Sequence, residues 1–497
     1  MTTLIKNGLV YDGSGKQPEK KDILIKGEWI VGIGSFSKKN AGEILDATGM
    51  DVYPGFIDIN TTSDHYLTLF TEPFQEDFVR QGVTTIIGGN CGASLAPILN
   101  GSLNSIRRWG SPAHINLNWR SVAEFLKILK KRGLGVNFGT LVGHSTIRRA
   151  LIGEDLRDLT QRELNAFKRI LEKAFREGAF GFSTGLSFVH SKRTPYYEIK
   201  ELAEIASKWK RVYATHIRDN ENALASLEET LSIGREAEVN LEISHFLPIK
   251  NHDEDYLKAL ELIEKESAQS HINFDVYPFE FSSVPAYSFL PKWAQDGDLE
   301  IMAAHVLNPH LRQRLLAHFR QFSGQEIIIV HTNDSTLKFL EGITLKDFAE
   351  RREISFGQGF LKFMQLVKLK ATLLYRNVDG KILNQFLASS PSIIASNSSG
   401  FPEKHFKHEK NYSVFPKFLK LAAEGNLMPL SKALQKITSL PAQKYDIRKR
   451  GLIKDGYYAD IAVSREGRIY HTIINGVSAL REGNLEKKLA GKILKRE

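Results

Sequence analysis

Apolar and polar positions follow two different periods along this chain, and the change of period divides it into three stretches. Residues 3–51 hold short apolar runs parted by turn residues: Leu4-Ile5, Leu9-Val10-Tyr11, Asp22-Ile-Leu-Ile25 and Trp29-Ile-Val-Gly-Ile-Gly34. They predict a small all-β module. From Tyr53 onward, strand-like runs alternate with helical patterns, which predicts a parallel sheet with right-handed crossovers. The strand runs are 55–58, 83–87, 136–142, 179–182, 212–215, 241–244, 272–276 and 392–395. Between them, stretches such as 162–176 and 198–210 carry apolar residues at three- and four-residue intervals, the mark of amphipathic helices. Eight strands so spaced favour a (β/α)8 TIM barrel over an open sheet. A further run, 326–330, falls in an insertion at about 282–347 between strands seven and eight. Residues 450–463 and 469–477 return to short strands, with Asp-Gly and Asn475-Gly476 as hairpin signals. The simplest arrangement has them complete the N-terminal β module, so that a barrel of residues 53–445 is inserted between 1–52 and 446–497.

The 497 residues are 42% hydrophobic and 25% charged, enough for one large core with an appendage. A charge at Lys6 and a turn at Gly8 interrupt the N-terminus before any secretory apolar region, and no later stretch approaches a membrane span. The expectation is a cytoplasmic protein without a membrane partner. The single cysteine, Cys91, excludes an internal disulfide and suits a reducing compartment. A net charge of +10 attracts acidic ligands, yet the basic residues are spread over amphipathic helices, and only the tail from Lys487 to Arg496 is clustered. That reads as a solvated basic surface, not a nucleic-acid partner.

Polar residues at the ends of the predicted strands carry the candidate chemistry. The first strand runs from a Pro-Gly turn into Asp58, Asn60, Thr62, Asp64 and His65. Cys91, His216 and His245 follow strands two, five and six, and all three face the same barrel mouth. Thiolate and imidazole suit zinc, and three protein ligands with one open position is its catalytic form. Two other motifs are weaker. Asp12-Gly-Ser-Gly-Lys16 lacks the first glycine and the Ser/Thr of a phosphate loop and reads as a hairpin turn. Gly181-Phe-Ser-Thr-Gly185 matches a nucleophile elbow, but Pro195 interrupts the helix that should follow it directly.

The motifs Pro54-Gly-Phe-Ile-Asp58, Gly89-Asn-Cys-Gly92 with Ala96-Pro97, Gly143-His144 and Glu177-Gly-Ala-Phe-Gly-Phe-Ser-Thr-Gly-Leu186 recur in one known family in this order. So do Ala214-Thr-His-Ile-Arg218, Ile243-Ser-His245, Asp275-Val-Tyr-Pro278, Leu290-Pro-Lys-Trp293, Phe415-Pro416 and Thr438-Ser-Leu-Pro-Ala442. Nearly end to end, the chain resembles the amidohydrolase superfamily and, within it, the N-acyl-D-amino-acid deacylases (D-aminoacylases). The resemblance implies a metal-dependent (β/α)8 barrel flanked by a β-sandwich from both termini, and a tightly held zinc on Cys91, His216 and His245. The family's His-x-His pair on strand one is replaced here by Asn60 and Thr62. Its proton-shuttling Asp at the end of strand eight is Asn397. One Zn2+ per chain is therefore expected, with a small N-acyl compound as the substrate.

Around the substrate, the family's Lys after the strand-six pair is Leu247 here, its Gly-Leu-Ser-Tyr tyrosine is Phe188, and its His-Pro-Arg arginine is Lys410. Arg218, Tyr277 and Lys410 are the expected substrate-binding groups. Arginine grips a carboxylate through two parallel bonds whereas lysine offers a point charge, so carboxylate specificity has room to differ. Two readings follow. In one, the chain is a zinc amidohydrolase cleaving a non-peptide C–N bond with a metal-activated water. In the other, it is a catalytically impaired relative that binds a ligand or partner without turnover. An amide such as Asn397 accepts no proton at neutral pH, and losing a general base costs about 10²- to 10⁴-fold in rate. Asp64, His65 and His144 are the nearby candidates to replace it.

Overall fold

The computed structural model describes residues 2–99, 106, 115–295, 297–322, 324–401, 405–425 and 427–497. Both chain ends build one nine-stranded sheet. Its N-terminal strands are β1 (Thr2–Val10), β2 (Glu19–Lys26), β3 (Trp29–Gly34), β4 (Glu43–Asp46) and β5 (Asp51–Pro54). β1 branches the sheet: Thr3–Lys6 pair in parallel with β4, while Leu9 and Val10 pair in parallel with β5. Gly8 at the branch leaves no room for a side chain, since a Cβ there would lie 2.5 Å from Val52 Cγ2. The Asp12–Lys16 stretch lies in the loop of the β1–β2 hairpin, with Gly13 and Gly15 at positive φ, as expected of a turn.

The barrel strands are β6 (Phe56–Asp58), β7 (Val83–Gly88), β8 (Asn137–Thr140) with β9 (Val142–Gly143), β10 (Gly181–Gly185), β11 (Val212–His216), β12 (Asn240–Ile243) and β13 (Ile272–Val276). All neighbouring pairs among them are parallel. The third strand is broken at Leu141, whose N–H bonds to Gly88 O. β8 therefore pairs back to β7 and β9 forward to β10. The connecting helices begin where capping predicts. Thr160 and Glu163 form a capping box at helix Gln161–Arg176, as Ser121 and Glu124 do at Val122–Arg132. Ile57, Ile59, Ile87, Leu141, Phe180, Ala214 and Ile393 fill the barrel interior, and a larger cluster lies between strands and helices.

Between strands seven and eight the chain leaves the barrel. β14 (Ser282–Pro285), β15 (Ile327–His331) and β16 (Thr372–Tyr375) form an antiparallel sheet over a core of their own, including Phe289, Phe319, Phe348 and Phe360. This lobe runs beyond the predicted 282–347, because β16 pairs both β14 and β15 and binds residues up to Tyr375 into it. β17 (Ser392–Ile394) then pairs with β13, and the Thr61–Ser398 bridge closes the barrel against the first strand.

The chain ends in β18 (Ile461–Arg465), β19 (Arg468–Ile474), β20 (Val477–Arg481) and β21 (Asn484–Leu485). β18 pairs antiparallel with β5, so the C-terminal strands complete the N-terminal module over a core of Ile5, Ile23, Ile30, Val52, Ile461 and Val463. Tyr53 and Pro54 belong to this module, which places its junction with the barrel at Gly55, slightly later than the predicted 52/53. Asn475 and Gly476, both at positive φ, turn β19 into β20 as their sequence predicts. The basic tail does not stand free in solvent. Phe138 N–H donates to Lys492 O and Leu494 N–H to Phe138 O, strapping the tail along β8. Among the described residues, no helix is long and apolar enough to cross a membrane.

Candidate active site

The C-terminal ends of three barrel strands, with the loops that follow two of them, bring the expected donors together. Cys91 Sγ lies 3.2 Å from His245 Nε2, and the His216 and His245 ring centroids are 4.3 Å apart. One ligand atom from each of Cys91, His216 and His245 falls within 4.8 Å of the others. Donors on one tetrahedral zinc, at about 2.0–2.3 Å from the ion, stand roughly 3.3–3.6 Å apart, so this cluster fits such an ion with little movement.

The backbone is arranged to achieve this. Cys91, His245 and Asn397 all sit at positive φ, 51°, 36° and 46°. Non-glycine residues adopt that region at a cost of about 1 kcal/mol or more, and it gathers at functional sites. The Cys91 loop is pinned from two sides. Ser183 Oγ on β10 donates to Gly89 O at 2.5 Å and accepts from Gly92 N–H at 3.0 Å, while Asp64 accepts from Gly89 N–H at 2.8 Å. Ser183 is thus a buried clamp in mid-strand, not the exposed nucleophile of an elbow.

Burial pulls the His216 imidazole down to about 4, against a hydrogen bond with Asn220. His245 is held well below its usual range by burial first, then by His216 and Lys410. Both rings are therefore neutral at pH 7, the state in which imidazole ligates a metal. His216 is oriented by Ser187 Oγ, 3.3 Å from Nδ1, and Asn220 Nδ2, 3.1 Å from Nε2.

The three donors line one cavity together with Thr62, His65, Tyr66, Phe188, Asn397 and Lys410. Its roof comes from the inserted lobe: Ser283, Val284, Pro285, Val330, His331, Thr372 and Leu374. The roof was not legible in the sequence, because nothing in the periodicity of 282–375 says where that lobe folds back. His331 was missed for the same reason, though it ends an apolar strand just as His216 does, and Tyr66 was missed because its partner Thr372 lies in that lobe.

Asn60 is buried, and its amide donates to Asp275 Oδ2 at 2.9 Å. Asn397 donates its backbone N–H to Asn60 O at 2.9 Å and shares a side-chain hydrogen bond with Tyr277. Tyr277 is fully buried, and burial raises its hydroxyl. Lys410 reaches into the barrel. Its ammonium donates to Ser396 O at 2.7 Å and Asn397 O at 2.9 Å and lies 4.4 Å from the Tyr277 ring centroid. Burial lowers it to about 7, partly offset by Asp58 and Asp275.

Arg218 departs from expectation. Its guanidinium is paired with Glu229 through bonds of 2.9 and 2.7 Å and donates to Lys192 O at 2.5 Å, so it is held away from the cavity by a carboxylate of the next helix. Leu247 is packed in the main core. Of the candidate bases, His144 is wholly buried against Glu198 at 2.8 Å and Asp64 holds the Cys91 loop, whereas His65 faces the cavity, its Nε2 3.0 Å from Ala93 O.

No family model matches the chain. D-aminoacylase of Alcaligenes xylosoxydans xylosoxydans is 28% identical over 99% of this chain and 97% of its own. N-acyl-D-aspartate deacylase of the same organism is 27% identical over 93% and 85%. Two solved structures of D-aminoacylase superpose with a TM-score of 0.81 at 27% and 26% identity, over 99% of both chains. One is described as defining a novel subset of amidohydrolases, the other as a binuclear centre with one-metal activation and second-metal attenuation. Barrel, end sheet and full-length likeness agree: the chain has the fold of the D-aminoacylase amidohydrolases and resembles D-aminoacylase and N-acyl-D-aspartate deacylase over nearly its whole length.

Proposed function

We propose that this protein is a mononuclear zinc amidohydrolase that removes the acyl group from an N-acyl amino acid, with Cys91, His216 and His245 holding the metal. The observation that carries this reading is the convergence of one thiol and two neutral imidazoles in a single roofed cavity. A zinc ion held there would polarise the acyl carbonyl and lower the pKa of the attacking water toward about 7. A second metal has no counterpart of its family ligands, since Asn60 is committed to Asp275 and Thr62 offers only a hydroxyl.

Lys410 takes over the proton transfer that Asn397 cannot perform. Two of its N–H bonds are fixed on Ser396 O and Asn397 O, leaving one position to exchange a proton with the cavity it lines. A group lowered to about 7 suits general-base work at neutral pH. Asn397 and Tyr277 position this lysine through its carbonyl contact and the ring beneath it. Tyr66, Phe188, Val284, Pro285, Leu374, Phe401 and Phe406 give the cavity an apolar wall, which favours an apolar acyl or side chain over an acidic one.

The test is release of free amino acid from N-acetyl-D-leucine, N-acetyl-D-methionine and N-acetyl-D-aspartate by purified protein of measured zinc content. Turnover of the apolar substrates, lost with the metal in Cys91→Ala, is the expected result. No turnover by zinc-loaded protein would refute it and favour the binding-only relative. That second reading rests on the amide at 397, and a rate appearing only in Asn397→Asp would establish it.

A further inference from the structure

A second group of metal-type donors lies at the lip of the cavity, apart from the three barrel ligands. His331 closes β15 of the inserted lobe, Glu341 follows it in the same lobe, and His405 comes from the loop after the eighth barrel strand. Glu341 Oε1 is 3.7 Å from His331 Nδ1, and Glu341 Oε2 is 3.3 Å from His405 Nδ1. One ligand atom from each falls within 4.8 Å of the others. Donors sharing a tetrahedral ion at about 2.0–2.1 Å stand roughly 3.3 Å apart, so these separations are near those of a formed site. The carboxylate is only 3% exposed and the imidazoles 17% and 12%. Thr332 fixes Glu341 Oε1 through its backbone N–H at 3.1 Å.

We propose that His331, Glu341 and His405 form a second divalent-metal site, selective for zinc-like ions, that ties the inserted lobe to the barrel loop beside the catalytic cavity. Two imidazoles and one carboxylate are a borderline donor set that prefers such ions to calcium or magnesium. This site differs from the family's second-metal positions, which correspond to Asn60 and Thr62 inside the barrel. It does not depend on the Cys91 site. Because His331 also lines the cavity, an ion here would fix the roof over the substrate.

Lys338 Nζ lies 3.2 Å from His405 Nε2. Once His405 ligates through Nδ1, its Nε2 carries a proton that faces this ammonium, so the half-buried lysine must swing away. Lys338 is thus an antagonist of metal binding, and Lys338→Ala should tighten zinc binding by about fivefold, the effect of one charge at a partly exposed site.

The experiment is zinc content by mass spectrometry after equilibration of the full chain with ZnCl2 and dialysis. Two equivalents in the parent, one in His405→Gln and one in Cys91→Ala support the proposal. One equivalent in the parent that disappears in His405→Gln but stays in Cys91→Ala supports the lip site while refuting the barrel site. Equal zinc in parent and His405→Gln overturns the lip site, whatever Cys91→Ala does. His331→Gln must reproduce the loss, and circular dichroism must show both variants folded. A folded His331→Gln that keeps the parent's zinc also overturns it.

Discussion

Replacing Lys410 by methionine keeps an unbranched apolar stem of the same four-atom length and removes the ammonium at its end, so it isolates the group proposed to move the proton. In the parent, burial lowers Lys410 from 10.5 to about 7, a difference that costs the folded ammonium about 5 kcal/mol. Because the folded pKa lies below the unfolded one, the unfolded chain binds more protons between these values. Stability from this group is therefore complete above about 10.5 and is lost as pH falls to about 7. Between pH 7 and 9 it contributes about 2 kcal/mol to the rise in stability, a rise that Lys410→Met removes. The variant also leaves the Ser396 and Asn397 carbonyls without their donor, at about 1–3 kcal/mol each. Urea titration followed by tryptophan fluorescence at pH 7 and 9 should show parent and variant diverging as pH rises. Kinetically, the parent's kcat should climb with pH through a limb at or below about 7, because the neutral amine is the base. Lys410→Met should lose that limb and about 10²- to 10⁴-fold in rate. An unchanged limb, with a rate within threefold of the parent, would refute the assignment.

Other outcomes follow from the same geometry. Ser183→Ala removes two of the three bonds that pin the Cys91 loop, leaving that from Gly89 N–H to Asp64, and should weaken zinc binding by about 10- to 100-fold without abolishing turnover, measured by chelator competition. Complete and metal-independent inactivation would instead revive a serine nucleophile. Gly89→Ala sets a Cβ 2.2 Å from Leu141 O at a φ of 76° and should fail to accumulate as folded protein, judged by soluble yield and thermal melting. Arg218→Met should leave KM for N-acyl substrates within about threefold, since its guanidinium is engaged by Glu229, but should lower the melting temperature. A large rise in KM with stability intact would return Arg218 to the substrate.

The period of the apolar residues determined the class of architecture by itself, since alternating strand and helix runs bury their faces as a parallel sheet covered by helices, and eight such strands favour a closed barrel over an open sheet. The strand ends likewise marked Cys91, His216 and His245, because residues at or just past the C-terminal ends of barrel strands gather at the mouth. Turn chemistry at Asn475-Gly476 and the capping boxes at Thr160 and Ser121 are local, and they too were legible. What the tertiary structure decided are pairings between distant segments with no period to announce them. β16 joining β14 extends the inserted lobe to Tyr375 and lowers a roof over Cys91, His216 and His245. Lys410 reaches Asn397 from a loop that sequence can place only near the mouth, and Glu229 captures Arg218. Whether a polar side chain meets a substrate, a carbonyl or an opposite charge depends on neighbours far away in sequence. That is why the three donors expected at the mouth could be picked out from the chain while the partners of its charged groups could not.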